Sequence, residues 1–129
     1  MTTTDASLQL QANPASPREA RRFLEDTLSA WECDAVSAEV SLLATELVTN
    51  ALLHARTMMD LRVHRRDRSL RVEVADRSPA MPHVSDLDAI DGDDLLATGR
   101  GLTLVTALSS SWGVEPENGG KVVWFEIEA

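Results

Sequence analysis

The chain has no tyrosine, a single cysteine and only 4% aromatic residues. One cysteine, Cys33, excludes an intramolecular disulfide. With no signal-peptide pattern at the N-terminus, a reducing, cytoplasmic setting is expected. Basic residues are also scarce: Lys and Arg number 12 against 21 Asp and Glu, a net charge of -9 with pI near 4.7. Such a balance excludes a general nucleic-acid binder, which needs a basic surface. It equally disfavours an anionic membrane face. No continuous apolar run approaches the roughly 20 residues of a membrane span. Internal repeats, long linkers, Cys/His metal-ligand spacing and a Ser/His/Asp nucleophile setting are all missing from the pattern.

What remains is 129 residues with 43% hydrophobic content, enough for one domain with its own core. Residues 1–7 are polar and are expected to be a disordered lead. Leu8 and Leu10 alternate with polar neighbours, as in a short edge strand. Ser16, Pro17 and Glu19 then form an N-cap, a first-turn proline and a capping box. Ala20, Phe23, Leu24, Thr27, Leu28 and Trp31 follow at helical spacing. "ECD" breaks that helix, and a second is expected from about Asp34 to Ala55. Met59, Leu61 and Val63, then Leu70, Val72 and Val74, alternate with polar residues as a hairpin with one covered face. A long Pro-, Asp- and Gly-rich stretch spans 77–98, and loops of that length in compact domains are usually functional or mobile. A short helix from Gly101 and a final hairpin across "ENGG" complete the chain. The order implies an α+β two-layer sandwich, a mixed, mostly antiparallel sheet with helices on one face.

Three places hold chemistry. Glu46, Asn50 and His54 recur every four residues in "ELVTNALLHA", one drifting row on the second helix. On spacing alone the row reads equally as a solvated stripe. Its leucine neighbours nevertheless leave an acid and an amide short of water unless a cation or a phosphate meets them. Asp76 stands where an alternating strand ends, positioned to cap a loop or to accept a hydrogen bond from a ligand amine. Gly99 and Gly101 flank Arg100 ahead of a helix, where backbone N–H groups can approach phosphate or simply form a turn.

Taken together and in this order, these features resemble the GHKL, or Bergerat-fold, ATP-binding superfamily. The narrower likeness is to its bacterial anti-sigma-factor serine/threonine kinase branch. "ELVTNALLHA" resembles the N box, "DRSPAMP" the first glycine box, "GRGL" the second and "GGKVVWFEI" the closing strand. The resemblance implies one histidine-kinase-like ATPase domain over 1–129, with an ATP lid at 77–98. It implies Glu46 as general base and Asn50 as holder of a Mg²⁺ that bridges the phosphates. Asp76 would read the adenine amine beside Ser78, and Gly99, Arg100, Gly101 and Leu102 would cradle phosphate. The cofactors so implied are ATP and Mg²⁺. The partners are an anti-anti-sigma-like protein as phosphate acceptor, a sigma factor and a second copy of the chain. No direct nucleic-acid or membrane contact is implied. The alternative from another class is a non-catalytic partner-binding module with a degenerate nucleotide site.

The chain departs from the family pattern at three points. Ser78 and Ala80 stand where the first glycine box expects glycine. Val122 stands where the closing strand often carries a threonine, which would remove one adenine contact. Asp86, Asp88, Asp91, Asp93 and Asp94 load the lid with negative charge and read best as a solvated run. Arg62, Arg65, Arg66, Arg68 and Arg71 form the one basic cluster, read as a solvated hairpin end that could dock an acidic partner. Trp31, Trp112 and Trp124 read as core or interface fillers.

Overall fold

The computed structural model describes residues 3–78 and 108–129. Five strands form one sheet in the order β1-β2-β3-β5-β4: β1 Thr3–Leu10, β2 Met59–Arg66, β3 Ser69–Asp76, β4 Ser111–Glu117 and β5 Gly120–Glu128. Every neighbouring pair among the described residues is antiparallel. Two helices, α1 Ser16–Ala30 and α2 Ser37–His54, pack on one another and on one face of the sheet. The result is the expected α+β sandwich.

Register explains the two faces. Leu61, Val74 and Val123 lie in one cross-strand row, and Val63, Val72 and Phe125 in the next. Side chains of a strand alternate between faces, so these rows all point to one side. That side meets Leu24 and Leu28 of α1 and Val40, Leu43, Leu47 and Val48 of α2, all buried. Each fully buried Val, Leu or Phe contributes roughly 1.5–3 kcal/mol. The stretch Asp34–His54 is long enough and, at a mean hydropathy of 1.3, apolar enough to cross a membrane by composition. In the fold it is the sandwich's core helix with its lead-in turn, and it carries Glu39 and Glu46.

Two local expectations need correction. Residues 3–7 are not a loose lead: β1 begins at Thr3, opposite Arg66, and Asp5 Oδ1 lies 2.7 Å from His64 Nδ1. Alternating polar side chains suit an edge strand, whose outer face is solvated. Nor does Ser16 form a capping box. Its hydroxyl is buried and donates to the Gln11 carbonyl, so the N-cap is Ala15. The break after α1 is a left-handed Glu32 at φ 59, after which the Cys33 N–H returns to the Leu28 carbonyl at 2.8 Å. In the final hairpin, Asn118 and Gly119 both have positive φ, as a tight primed turn requires.

The open face of the sheet is charged and largely self-neutralising. Arg62 makes two hydrogen bonds to the Glu117 carboxylate, at 3.0 and 2.9 Å. Arg71 reaches Glu73 at 2.9 Å and Glu126 at 3.2 Å, and lies 4.0 Å above the Trp124 ring. The expected basic cluster is therefore divided. Arg62 and Arg71 are paired across the sheet, Arg65 donates to the Trp31 carbonyl, and Arg66 and Arg68 stay exposed at the hairpin end. Trp31 and Trp112 pack at the margin of the core, as expected of fillers.

Glu73 is the hub of that network. Burial works to raise its pKa, but hydrogen bonds from Arg71 and His64 and their charges outweigh it, and the carboxyl ends below its ordinary value. A carboxylate whose pKa is depressed by folding stabilises the fold above its unfolded pKa of about 4.3. That stability is lost as pH falls through the lower, folded value. Glu73→Gln should cost roughly 1–2 kcal/mol at pH 7. The gap to wild type should narrow below about pH 4. Urea unfolding at pH 7 and at pH 3.5 checks this; a gap that stays constant with pH would remove Glu73 as the acid-sensitive group.

Candidate functional site

α2 carries the acid-amide row. Its buried face is Val40, Ser41, Leu43, Ala44, Leu47 and Val48. Glu46 and Asn50 sit half-buried on its flank, between the exposed Leu42 and Leu53. Neither the Glu46 carboxylate nor the Asn50 amide has a hydrogen-bond partner among the described residues. Half-buried polar groups left without partners are costly unless a ligand or water meets them. His54 is exposed in the last turn, a helix-end group where an imidazole suits the carbonyl dipoles.

The chain then brings α2 to the end of the sheet. Only Ala55–Met58 separate α2 from β2, which begins at Met59 directly opposite Asp76. Arg56 turns the chain with φ 55. Thr57 Oγ1 accepts the Arg77 N–H at 3.0 Å, tying this connection to the end of β3. The C-terminal turn of α2 and the end of β3 thus meet at one edge of the sandwich.

Asp76 closes the helix-facing side of β3, in a row with Met59 on one side and Lys121 on the other. Its Oδ1 accepts the Ser78 N–H at 2.9 Å, and its Oδ2 lies 2.9 Å from Lys121 Nζ. The two side chains are 2% and 9% exposed. Asp76 therefore caps the loop and carries a buried ion pair as well. Lys121 is the only lysine in the chain. A carboxylate at this depth would be strongly disfavoured without such a partner.

The register also corrects the reading of β5. Val122 pairs with Ala75, not Asp76, and so points to the opposite face of the sheet. The β5 residue that faces Asp76 is Lys121, which local sequence reasoning passed over. Its one signal was being the sole lysine, placed at the start of the closing strand. Ser78, at the expected first-box glycine, is half-buried beside Asp76. Ala80, the five lid aspartates, Gly99, Arg100, Gly101 and Leu102 lie outside the described residues. The structure thus sets the α2–β2 connection, Asp76, Ser78 and Lys121 together at one end of the sheet, while the residues expected to cradle phosphate lie outside the described residues.

The profile of the histidine kinase-like ATPase domain matches residues 10–127. No curated protein matches the chain.

Gly120 is what lets β5 approach. A Cβ there would drive into the carbonyl oxygen of Asp76 and come within 2.8 Å of the Arg77 Cα. Both obstacles are backbone and cannot swing aside. Gly120→Ala should therefore destabilise the fold by roughly 1–3 kcal/mol through overpacking. Denaturant unfolding measures this; unchanged stability would mean that Asp76 and β5 are less closely coupled than the register implies.

Proposed function

The chain belongs to the histidine kinase-like ATPase domain family, and from that premise we propose that it is a regulatory serine/threonine protein kinase. Membership makes it an ATP-binding, kinase-like domain. The finer reading is that it transfers the terminal phosphoryl group of ATP to a Ser or Thr hydroxyl on a small antagonist protein, in a cytoplasmic partner switch. The observation that carries this reading is the half-buried Glu46–Asn50 row, which has no hydrogen-bond partner among the described residues and lies on the helix whose connection to β2 meets the end of β3.

The residues fit nucleotide with its metal. Among the described residues no group of three or more His, Cys, Asp and Glu could hold an ion alone. Mg²⁺ needs no such cage: it is commonly held by one or two protein oxygens plus substrate phosphates and water. The Asn50 amide oxygen, which has no hydrogen-bond partner among the described residues, is such a donor. When bound, the ion would neutralise phosphate charge. Glu46 would take the proton from the attacking hydroxyl as the oxygen–phosphorus bond forms and the bond to the ADP leaving oxygen breaks. Phosphoryl transfer depends on positioning and charge neutralisation more than on covalent help. Asp76 would face the base, and Gly99, Arg100, Gly101 and Leu102 would offer backbone donors and one cation to the phosphates.

A second reading is a non-catalytic module that sequesters a sigma factor or another regulator. Two observations favour it: Asp76 is already paired with Lys121, and Ser78 replaces a first-box glycine.

Two measurements separate the readings. ATP should bind more tightly with Mg²⁺ than with EDTA, and Asn50→Ala should remove most of that difference in calorimetry. Equal affinity with and without Mg²⁺ would withdraw Asn50 from the metal. Glu46→Gln keeps shape and an acceptor oxygen but loses the basic carboxylate. It should bind ATP normally and phosphorylate the antagonist, recovered by pull-down from native extract, roughly 10²–10⁴-fold more slowly. A wild-type protein that holds ATP and antagonist together yet transfers no phosphate over hours would leave the module reading standing.

A further inference from the structure

We propose that Lys121 and Asp76 together read the base as a donor–acceptor couple, so that the site takes 6-oxopurine nucleotides as well as adenine nucleotides. The inference rests on the reading above that Asp76 faces the base. Its new element is Lys121.

An ionised carboxylate only accepts hydrogen bonds. Asp76 alone would welcome the 6-amino group of adenine and oppose the 6-carbonyl of guanine or hypoxanthine, acceptor against acceptor. Lys121 changes that. Its ammonium has three N–H donors, of which Asp76 Oδ2 takes one at 2.9 Å. The carboxylate has about four lone-pair sites, of which the Ser78 N–H and Lys121 Nζ occupy two. The pair therefore retains donor and acceptor capacity side by side.

Adenine presents a donor at its 6-amino group and an acceptor at ring N1. A 6-oxopurine presents an acceptor at O6 and a donor at N1–H. One couple serves both: with adenine, Asp76 accepts from the amine and Lys121 donates to N1. With a 6-oxopurine, Lys121 donates to O6 and Asp76 accepts from N1–H. Nothing else in the row competes for this edge. Met59 and Pro116 flank Asp76 and Lys121 in register without a hydrogen-bonding side chain, and Val122 faces the other way. A purely structural Lys121 would hold Asp76 in place but would be indifferent to which atom occupies the ring position.

Calorimetry on the full chain with Mg²⁺ tests this with three probes: ATP, inosine triphosphate, and 1-deaza-ATP, in which ring N1 is replaced by C–H. In wild type, inosine triphosphate should bind within about tenfold of ATP, and 1-deaza-ATP roughly tenfold more weakly than ATP. In Lys121→Met the penalty for 1-deaza-ATP should vanish, because its partner is gone. A gap above tenfold between ATP and inosine triphosphate, or a deaza penalty unchanged in Lys121→Met, overturns the inference and leaves the ATP reading intact. If neither nucleotide binds wild type, that reading falls and the inference with it. Should Lys121→Met fail to fold, the single side-chain amine resonance of ¹⁵N-lysine-labelled wild type decides. It should move on saturation with ATP and differ when 1-deaza-ATP replaces it; a resonance identical in both overturns the couple.

Discussion

A carboxylate has been carried to the end of an apolar strand, on the side that faces the helices, and it is tolerable there only because β5 brings an ammonium to meet it. The Asp76–Lys121 pair, 2.9 Å apart and almost wholly buried, ties the architecture together. It fixes which residues of β5 oppose β3, and so which side chains enter the core: Val123, Phe125 and Ile127 on the helix side, Trp124 and Glu126 on the other. A slip of one residue would set Val122 against Asp76, bury Trp124 and Glu126, and leave the carboxylate without a counter-charge. Gly120 supports the same register from the backbone, since only a residue without a side chain fits against the Asp76 carbonyl.

The two faces of the sheet solve opposite problems. The helix side is closely packed and mostly aliphatic. The open side has no covering layer among the described residues, yet it is not a plain solvated surface. Glu73 gathers Arg62, His64 and Arg71, and Glu117 and Glu126 complete the balance. Partly buried pairs of this kind add cross-strand order at little net cost, provided each charge keeps its partners. The acidic excess of the whole chain is accordingly not concentrated here.

The candidate site lies on the helix layer and at the end of the sheet beside it. α2 is buried along one side, and its flank presents Glu46 and Asn50, which have no hydrogen-bond partner among the described residues. A short connection then delivers that helix to the sheet end where Asp76 sits. Half-buried groups left unsatisfied are a stability cost that a packed helix can carry because its other face is secured by Val40, Leu43, Leu47 and Val48.

Much of this was legible in sequence. Periodicities of 2 and 3.6 placed α1, α2, the β2–β3 hairpin and the end of β1, the turn "ENGG" placed β4 and β5, and the four-residue spacing of Glu46, Asn50 and His54 singled out one row of α2, because each of these signals is local. Strand pairing and capping were not local. Ser16 has the residue type of an N-cap, but its hydroxyl was drawn to Gln11, and Thr3–Ser7 look loose until β2 offers them hydrogen-bond partners. Lys121 and Val122 are adjacent in the chain and so necessarily point to opposite faces of β5. Which of them would meet Asp76 depended on a pairing across 45 residues, and only the register of β3 with β5 could decide it.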